Sequence, residues 1–186
     1  GDFISWPLVG AMSTAMERGG LGWLRTLAVS FGVRDADHLS IALVSVANPM
    51  ATAGFGRLTP EQHGKTDLFE VFPGNARGNT TQMIAATITA QVLDHVDAFL
   101  DFHSGGSGGR LQARVDYNVK APDDVQKKRL AMARAFGMPF VHENDLSGTA
   151  SHYVNLKRNI PAANPEMGGS YLGPENTALY TKQAIA

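Results

Sequence analysis

The order of its apolar segments constrains the fold of this chain more than any other feature. Residues 41–46 form a near-continuous apolar run, a helical pattern with apolar residues four apart begins near Asn79, and a second apolar run covers residues 98–102. Asn48 and Pro49 close the first run, as is typical of a strand buried on both faces. Strand, loop, helix and strand in this order predict an α/β fold with a parallel sheet.

Further elements are predicted before and inside this unit. Residues 7–16 and, more weakly, residues 21–31 have the apolar spacing of helices. Residues 51–78 are rich in Gly, Pro and polar residues and show neither the helical nor the strand period. A loop of that length inside a compact domain is often functional.

The second half of the chain repeats the alternation. Asp123 is placed to cap a helix that Gly137 ends, and a short strand is expected over residues 138–142. A last helix and strand run from Thr149 to Glu166. The candidate core residues of the first helix are Val125, Leu130, Ala133 and Phe136. We predict one α/β domain over residues 1–186, with a mainly parallel or mixed sheet covered by helices on both faces.

Composition narrows the class of partner. The 186 residues carry 16 Lys and Arg against 17 Asp and Glu, so no long-range field favours nucleic acid or an anionic membrane. The absence of cysteine excludes disulfides and thiolate ligands and is compatible with a cytoplasmic protein. No apolar run approaches the roughly 20 residues that span a bilayer. We expect a small-molecule partner and a cytoplasmic location, and a start without methionine leads us to expect a fragment.

The strand end at residues 101–106, which reads DFHSGG, is the first candidate site. Ligands of parallel sheets collect where strands end, so His103 is well placed to bind one. Asp101 points to the same side of the strand and can orient the imidazole, as carboxylates do for metal-bound histidines. The alternative is a strand that simply ends in a turn, which is the commoner setting of a single histidine.

Two other residues are candidates. Glu166, in NPEMGGS, follows an apolar approach and precedes paired glycines, and a carboxylate there can move a proton to or from bound water. Arg57, in GRLTP, can polarise a carbonyl or hold a carboxylate. Each could instead be an ordinary surface residue. Ser104 is not predicted to be a nucleophile, because no G-x-S-x-G motif surrounds it. The segment GGSGGR, residues 105–110, is only weakly predicted to bind phosphate, because it lacks the spacing of a phosphate-binding loop. The remaining histidines are interpreted as structural or exposed: His38, His63, His95, His142 and His152.

The series VANP, GRLTPEQHGKTDLFEVFPG, LDFHSGG and PEMGG resembles the succinylglutamate desuccinylase and aspartoacylase family, zinc hydrolases with a carboxypeptidase-like α/β fold. The resemblance spans roughly residues 1–169. It implies one zinc ion bound by His103, Glu166 as general base and acid, and Arg57 as the residue that polarises the scissile carbonyl. It also implies that N-terminal strands and a C-terminal β-rich segment of the family are missing here.

The sequence departs from the family pattern at two places. Phe3 stands where the family has a glutamate ligand, and a phenyl ring cannot bind zinc. Phe69 and Glu70 stand where the family has the Asn-Arg pair that binds the substrate carboxylate, so Glu70 at the substrate site would repel that group. Two hypotheses stay open: a zinc-dependent deacylase of a small N-acyl amino acid or related compound, with impaired activity, or an inactive member that binds a small ligand or a protein.

Overall fold

The computed structural model describes residues 44, 46–53, 57–61, 65–103, 111–118, 123–145, 147–168 and 182. The helices expected over residues 7–16 and 21–31 lie outside the described residues, as does Phe3. The strand expected over residues 41–46 lies almost entirely outside them as well.

The described elements include the helices predicted after Asn79, Pro122 and Gly148, together with short elements and one strand over residues 114–118 that were not predicted. The helices are α1 (Pro49–Ala53), α2 (Thr80–Gln91), α3 (Asp123–Ala135) and α4 (Ala150–Lys157), with single 3-10 turns at Leu68–Glu70 and Leu93–His95. The strands are β1 (Thr59–Pro60), β2 (Lys65–Thr66), β3 (Phe99–Leu100), β4 (Arg114–Asn118), β5 (Val141–Asn144) and β6 (Ala162–Glu166).

Four of these strands form one mixed sheet in the order β3, β6, β4, β5. The pairs β3–β6 and β4–β5 are parallel, whereas β4 and β6 are antiparallel. Because side chains alternate along a strand, Val115 and Tyr117 share the face that packs under α3. Asp116 and Asn164 share the opposite face, where α4 lies. The prediction of a mixed α/β sheet with helices on both faces is confirmed for the described part.

Local chemistry sets most helix ends. Asn79 caps α2 through a complete capping box with Gln82, and the Thr149 hydroxyl accepts the backbone N–H of His152 at the start of α4. Gly137 has a φ of 78° after α3, a left-handed conformation that glycine adopts without strain. The expected boundaries near Asn79, Gly137 and Thr149 are therefore confirmed.

Three expectations about boundaries are wrong. Asp123 is the first residue of α3 and not its cap. The strand expected over residues 138–142 covers Val141–Asn144, because Met138 turns into the core and pairing with β4 begins at Val141. Residues 51–78 are not a featureless loop, since the β1–β2 hairpin and one 3-10 turn lie there. Elements of two or three residues are too short to produce a period in the sequence.

Two apolar clusters hold the layers together. One lies between the sheet and α3 and includes Val115, Tyr117, Ala133 and Phe136. The other packs Leu93, Ala150 and Val154 against Ala162 at the start of β6. The buried core predicted for α3 is confirmed at Val125, Ala133 and Phe136, and Leu130 is partly buried. Toward the C-terminal end of β6, Asn164 and Glu166 are polar.

Candidate functional site

His103 and Glu166 lie side by side at the end of the β3–β6 pair. The two residues form a parallel β-bridge. The backbone N–H of His103 donates to the Pro165 carbonyl oxygen at 2.9 Å, and the Met167 N–H donates to the His103 carbonyl oxygen at 2.8 Å. Two residues that are 63 positions apart in the sequence are therefore fixed on adjacent strands by backbone hydrogen bonds.

The Asp101 carboxylate orients the His103 ring. Its Oδ2 lies 3.2 Å from His103 Nε2, and the His103 side chain is only 7% exposed. Because a carboxylate accepts, this contact places the ring proton on Nε2 and leaves Nδ1 as the basic nitrogen. Burial by itself lowers the pKa of His103, but the charge and hydrogen bond of Asp101, with the charge of Glu166, outweigh it, so the pKa is raised.

Asn164 is a neighbour of His103 that the sequence did not single out. Its amide Nδ2 lies 3.4 Å from His103 Nε2, and its Oδ1 accepts the hydroxyl of Ser151 from α4 at 2.5 Å. Both Asn164 and Ser151 are buried. Since β6 residues two apart share a face, the signal that could have found Asn164 is its spacing from Glu166.

Glu166 is a partly desolvated carboxylate. Burial is the main cause that raises its pKa above the ordinary value, while the charges of His103 and Arg114 lower it and that of Asp116 raises it. Within the described residues, the buried Oε2 atom of Glu166 has no hydrogen-bond partner. An acid with an elevated pKa and an open acceptor atom is suited to proton transfer.

Arg57 approaches the site through Phe69. Its Nε donates to Asp67 Oδ2 at 2.6 Å, and its guanidinium carbon lies 5.7 Å from the centre of the Phe69 ring. Phe69 in turn contacts His103 edge to face, with ring centres 5.1 Å apart. The long segment before α2 thus brings a cation and an aromatic ring to the His103 side of the site.

Glu70 lies at the end of the same 3-10 turn and is exposed. Its backbone carbonyl oxygen lies close to Gly148, on the turn that precedes α4. The structure therefore places Glu70 one residue from Phe69 at the surface of this region. A role of Glu70 in substrate binding stays a prediction.

A second polar cluster continues the site across the sheet. Arg114 is directly opposite Glu166 in the β4–β6 pair, and Asp116 is opposite Asn164. Asp116 accepts from Arg114 through both oxygen atoms and also contacts His142 and Asn144. Arg114 and Asp116 were not predicted from the sequence, although they are two residues apart, as Asp101 and His103 are. His142 was interpreted as structural or exposed. Its side chain is exposed and also contacts the buried Asp116.

Comparison with known proteins identifies the family. Residues 15–186 match the model of the succinylglutamate desuccinylase/aspartoacylase catalytic domain. The chain belongs to this family. It is 28% identical over 166 residues to N-alpha-acetyl-L-2,4-diaminobutyric acid deacetylase of Halomonas elongata, a match that covers 88% of this chain and 48% of that protein.

Two solved structures have the same fold. The product-bound ectoine utilization protein EutE (DoeB) from Ruegeria pomeroyi superposes with a TM-score of 0.69 at 23% identity, over 84% of this chain and 50% of that one. A succinylglutamate desuccinylase/aspartoacylase from Rhodobacter sphaeroides superposes with a TM-score of 0.67 at 23% identity, over 86% of this chain and 48% of that one. The chain spans about half the length of these relatives.

The zinc ion that the family resemblance implies can be tested against the donor atoms present. A catalytic zinc site has three protein ligands. His103 braced by Asp101 has the form of a zinc-bound histidine. No three His, Asp or Glu side chains of the described residues lie together so that they could hold a metal ion, however. Since Phe3 has no donor atom either, Phe3 and the described residues together do not complete a zinc site.

None of the helices in the described part of the chain is both long and apolar enough to cross a membrane.

Proposed function

We propose that this chain is part of a deacylase that hydrolyses the amide bond of a small N-acyl amino acid or a related N-acyl compound. The observation that carries the proposal is the juxtaposition of His103 and Glu166 on adjacent strand ends. Membership of the family and the similarity to a deacetylase of an N-acetylated amino acid support it.

In the proposed reaction Glu166 moves the proton. Its carboxylate takes a proton from a water molecule as the water oxygen bonds to the carbonyl carbon of the amide. The carbon–nitrogen bond then breaks, the proton passes to the leaving amine, and the acyl group leaves as a carboxylic acid. The raised pKa of Glu166 suits a group that must both accept and return a proton.

Arg57 would stabilise the carbonyl oxygen as negative charge develops on it. Its guanidinium lies over the Phe69 ring, which contacts His103, and is anchored to Asp67, which keeps the cation near the site. His103 and Asp101 would hold the opposite wall, with Asp101 fixing the orientation of the imidazole.

Zinc dependence is a separate proposal. His103 would contribute one ligand, through Nδ1 because Asp101 occupies the Nε2 side. The remaining ligands would have to come from outside the described residues. A cytoplasmic location likewise stays a prediction from the sequence.

The test is hydrolysis of N-acetyl amino acids by the purified protein and by Glu166→Gln. We expect kcat to fall by about 10²–10⁴-fold, the usual contribution of general acid–base catalysis. Asp124→Asn, on the exposed start of α3, is the matched control and should leave kcat unchanged. If Glu166→Gln cleaves as fast as the unchanged chain, Glu166 is not the proton carrier. Metal analysis with and without His103→Ala tests the zinc proposal independently.

A second candidate function is ligand binding without catalysis. The edge contact between Phe69 and His103 favours it, because an aromatic ring occupies the space beside the imidazole. Under this alternative the protein binds an N-acyl compound but shows no turnover, and Glu166→Gln changes nothing. Phe69→Asn opens this space, and turnover gained by that variant would identify the ring as the obstruction.

A further inference from the structure

Arg114 lies opposite Glu166, one strand further across the sheet on the side away from His103. The antiparallel β4–β6 register sets Arg114 directly opposite Glu166. Opposed residues in such a pair have Cβ atoms about 4.5–5.5 Å apart and point to the same face. His103, Glu166 and Arg114 therefore follow one another across three neighbouring strands of one face.

The guanidinium of Arg114 is held rigidly by Asp116. Its Nε donates to Asp116 Oδ1 at 2.6 Å and its Nη2 to Oδ2 at 3.1 Å. Asp116 is itself 2% exposed and is fixed from the other side by His142 Nδ1 at 3.2 Å and the Asn144 amide at 3.1 Å. A carboxylate with that many partners cannot rotate away, so the direction of the fork is set before a ligand arrives.

The Asp116 contacts leave part of the guanidinium for another acceptor. They use two of the five N–H donors of an arginine. The Arg114 side chain is 22% exposed, so the group is reachable from solvent. The adjacent Glu166 does not take these donors at Oε2, which is buried and has no partner in the described part of the chain.

We propose that Arg114 is a specificity-determining residue that binds the carboxylate of an N-acyl amino acid. The inference rests on the proposed function, because it takes the substrate from that reaction. Strands are about 4.8 Å apart, so Arg114 lies about 10 Å across the sheet from His103, with Glu166 between them. One carbon separates the amide from the carboxylate in an N-acyl amino acid. With the amide at Glu166, the carboxylate therefore reaches the Arg114 side.

The size of the effect follows from the pairing with Asp116. That carboxylate cancels much of the guanidinium charge, so recognition depends on charge-assisted hydrogen bonds rather than on a long-range field. Such bonds correspond to about a tenfold preference or more for a carboxylate over a neutral group of the same shape.

Binding of two ligands tests this without requiring turnover. N-acetyl-L-alanine and N-acetyl-L-alaninamide differ only in the carboxylate, and titration calorimetry gives Kd for both. Arg114→Gln alone would leave the buried Asp116 carboxylate without its arginine partner, so the informative variant is the double Arg114→Gln/Asp116→Asn, which removes both charges and keeps side chains of similar size. Arg114→Lys retains the charge but not the fork. Arg77→Gln, at an exposed turn, is the matched control.

We expect the unchanged protein and Arg77→Gln to bind the acid about tenfold or more tightly than the amide. The double variant should bind both equally, and Arg114→Lys should fall between. Equal binding by the unchanged protein, binding of neither ligand, or a preference that survives in the double variant would overturn the assignment.

Hydrolysis measured in parallel separates this inference from the proposed function. A protein that prefers the acid but cleaves no N-acetyl compound keeps the Arg114 assignment and loses the deacylase. A protein that cleaves both ligands without preference keeps the deacylase and loses the Arg114 assignment.

Discussion

Two charged side chains are buried on opposite faces of the β4–β5 pair, and their surroundings differ completely. Asp116 is 2% exposed and contacts Arg114, His142 and Asn144. Arg129 of α3 is 0% exposed and lies over the ring of Tyr117 at 5.6 Å. Within the described residues none of its three guanidinium nitrogens has a hydrogen-bond partner.

The difference shows which face of the sheet is built for charge. The Asp116 face carries its polar groups as a connected network that ends beside Glu166, so desolvation is offset by hydrogen bonds. The Arg129 face is mainly apolar apart from the hydrogen bond between Tyr117 and Glu143, and burial lowers the pKa of Arg129 there, while the charges of Tyr117 and Glu143 raise it less. A charge is stabilising on one face and costly on the other.

The largest effect is expected from removing the centre of the network. Asp116→Ala takes the shared acceptor away from Arg114, His142 and Asn144, and we expect the free energy of unfolding to fall by about 3 kcal/mol, roughly 1 kcal/mol for each partner. Urea denaturation measures it, and Asp124→Ala on the exposed part of α3 serves as the control. A loss no larger than that of the control would mean that this face does not depend on its charges.

The opposite sign is expected on the other face. Arg129→Met replaces a buried unpaired charge by an apolar side chain of similar length, and the free energy of unfolding should rise by about 1 kcal/mol or more. The exposed Arg134→Met on the same helix should stay within about 0.5 kcal/mol of the unchanged protein. Destabilisation by Arg129→Met would show that the guanidinium has a stabilising partner after all.

A smaller loss should follow from trimming one neighbour of Asp116. His142 is 55% exposed, so His142→Ala removes little packing and mainly the contact to Asp116. We expect a loss of about 1 kcal/mol, typical of one hydrogen bond. In the background of Asp116→Ala the same change should cost close to nothing, and a double-mutant cycle by urea denaturation tests that coupling.

The smallest effect is confined to alkaline pH. Burial, followed by the hydrogen bond to Glu143, raises the pKa of Tyr117 above 10.0. A group whose pKa is raised on folding contributes stability that is complete below its unfolded pKa and is lost as the pH rises through the folded value. Tyr117→Phe should therefore flatten the decline of unfolding free energy above pH 10. An unchanged slope would show that folding does not raise the pKa of Tyr117.

Much of the fold and part of the site could be predicted from local patterns. The four-residue apolar spacing and the capping residue Asn79 predicted α2. Gly137 predicted the end of α3, and Thr149 predicted the start of α4. The pair Asp101 and His103 was found because residues two apart on a strand share a face. The β1–β2 hairpin, the shifted start of β5 and the partners of Asp116 were missed, because they depend on pairing between distant segments.

The sequence by itself determined the alternation of strands and helices, the residue types at each strand end and the membership of a deacylase family, because these depend on side-chain periodicity and on motifs within short stretches. Only the tertiary structure decided that β4 runs antiparallel to β6 and that Arg114 faces Glu166. It also decided that Asp116 is embedded in partners while Arg129 is not. Strand direction and the dielectric environment of a charge are set by neighbours far away along the chain, and no local pattern records them.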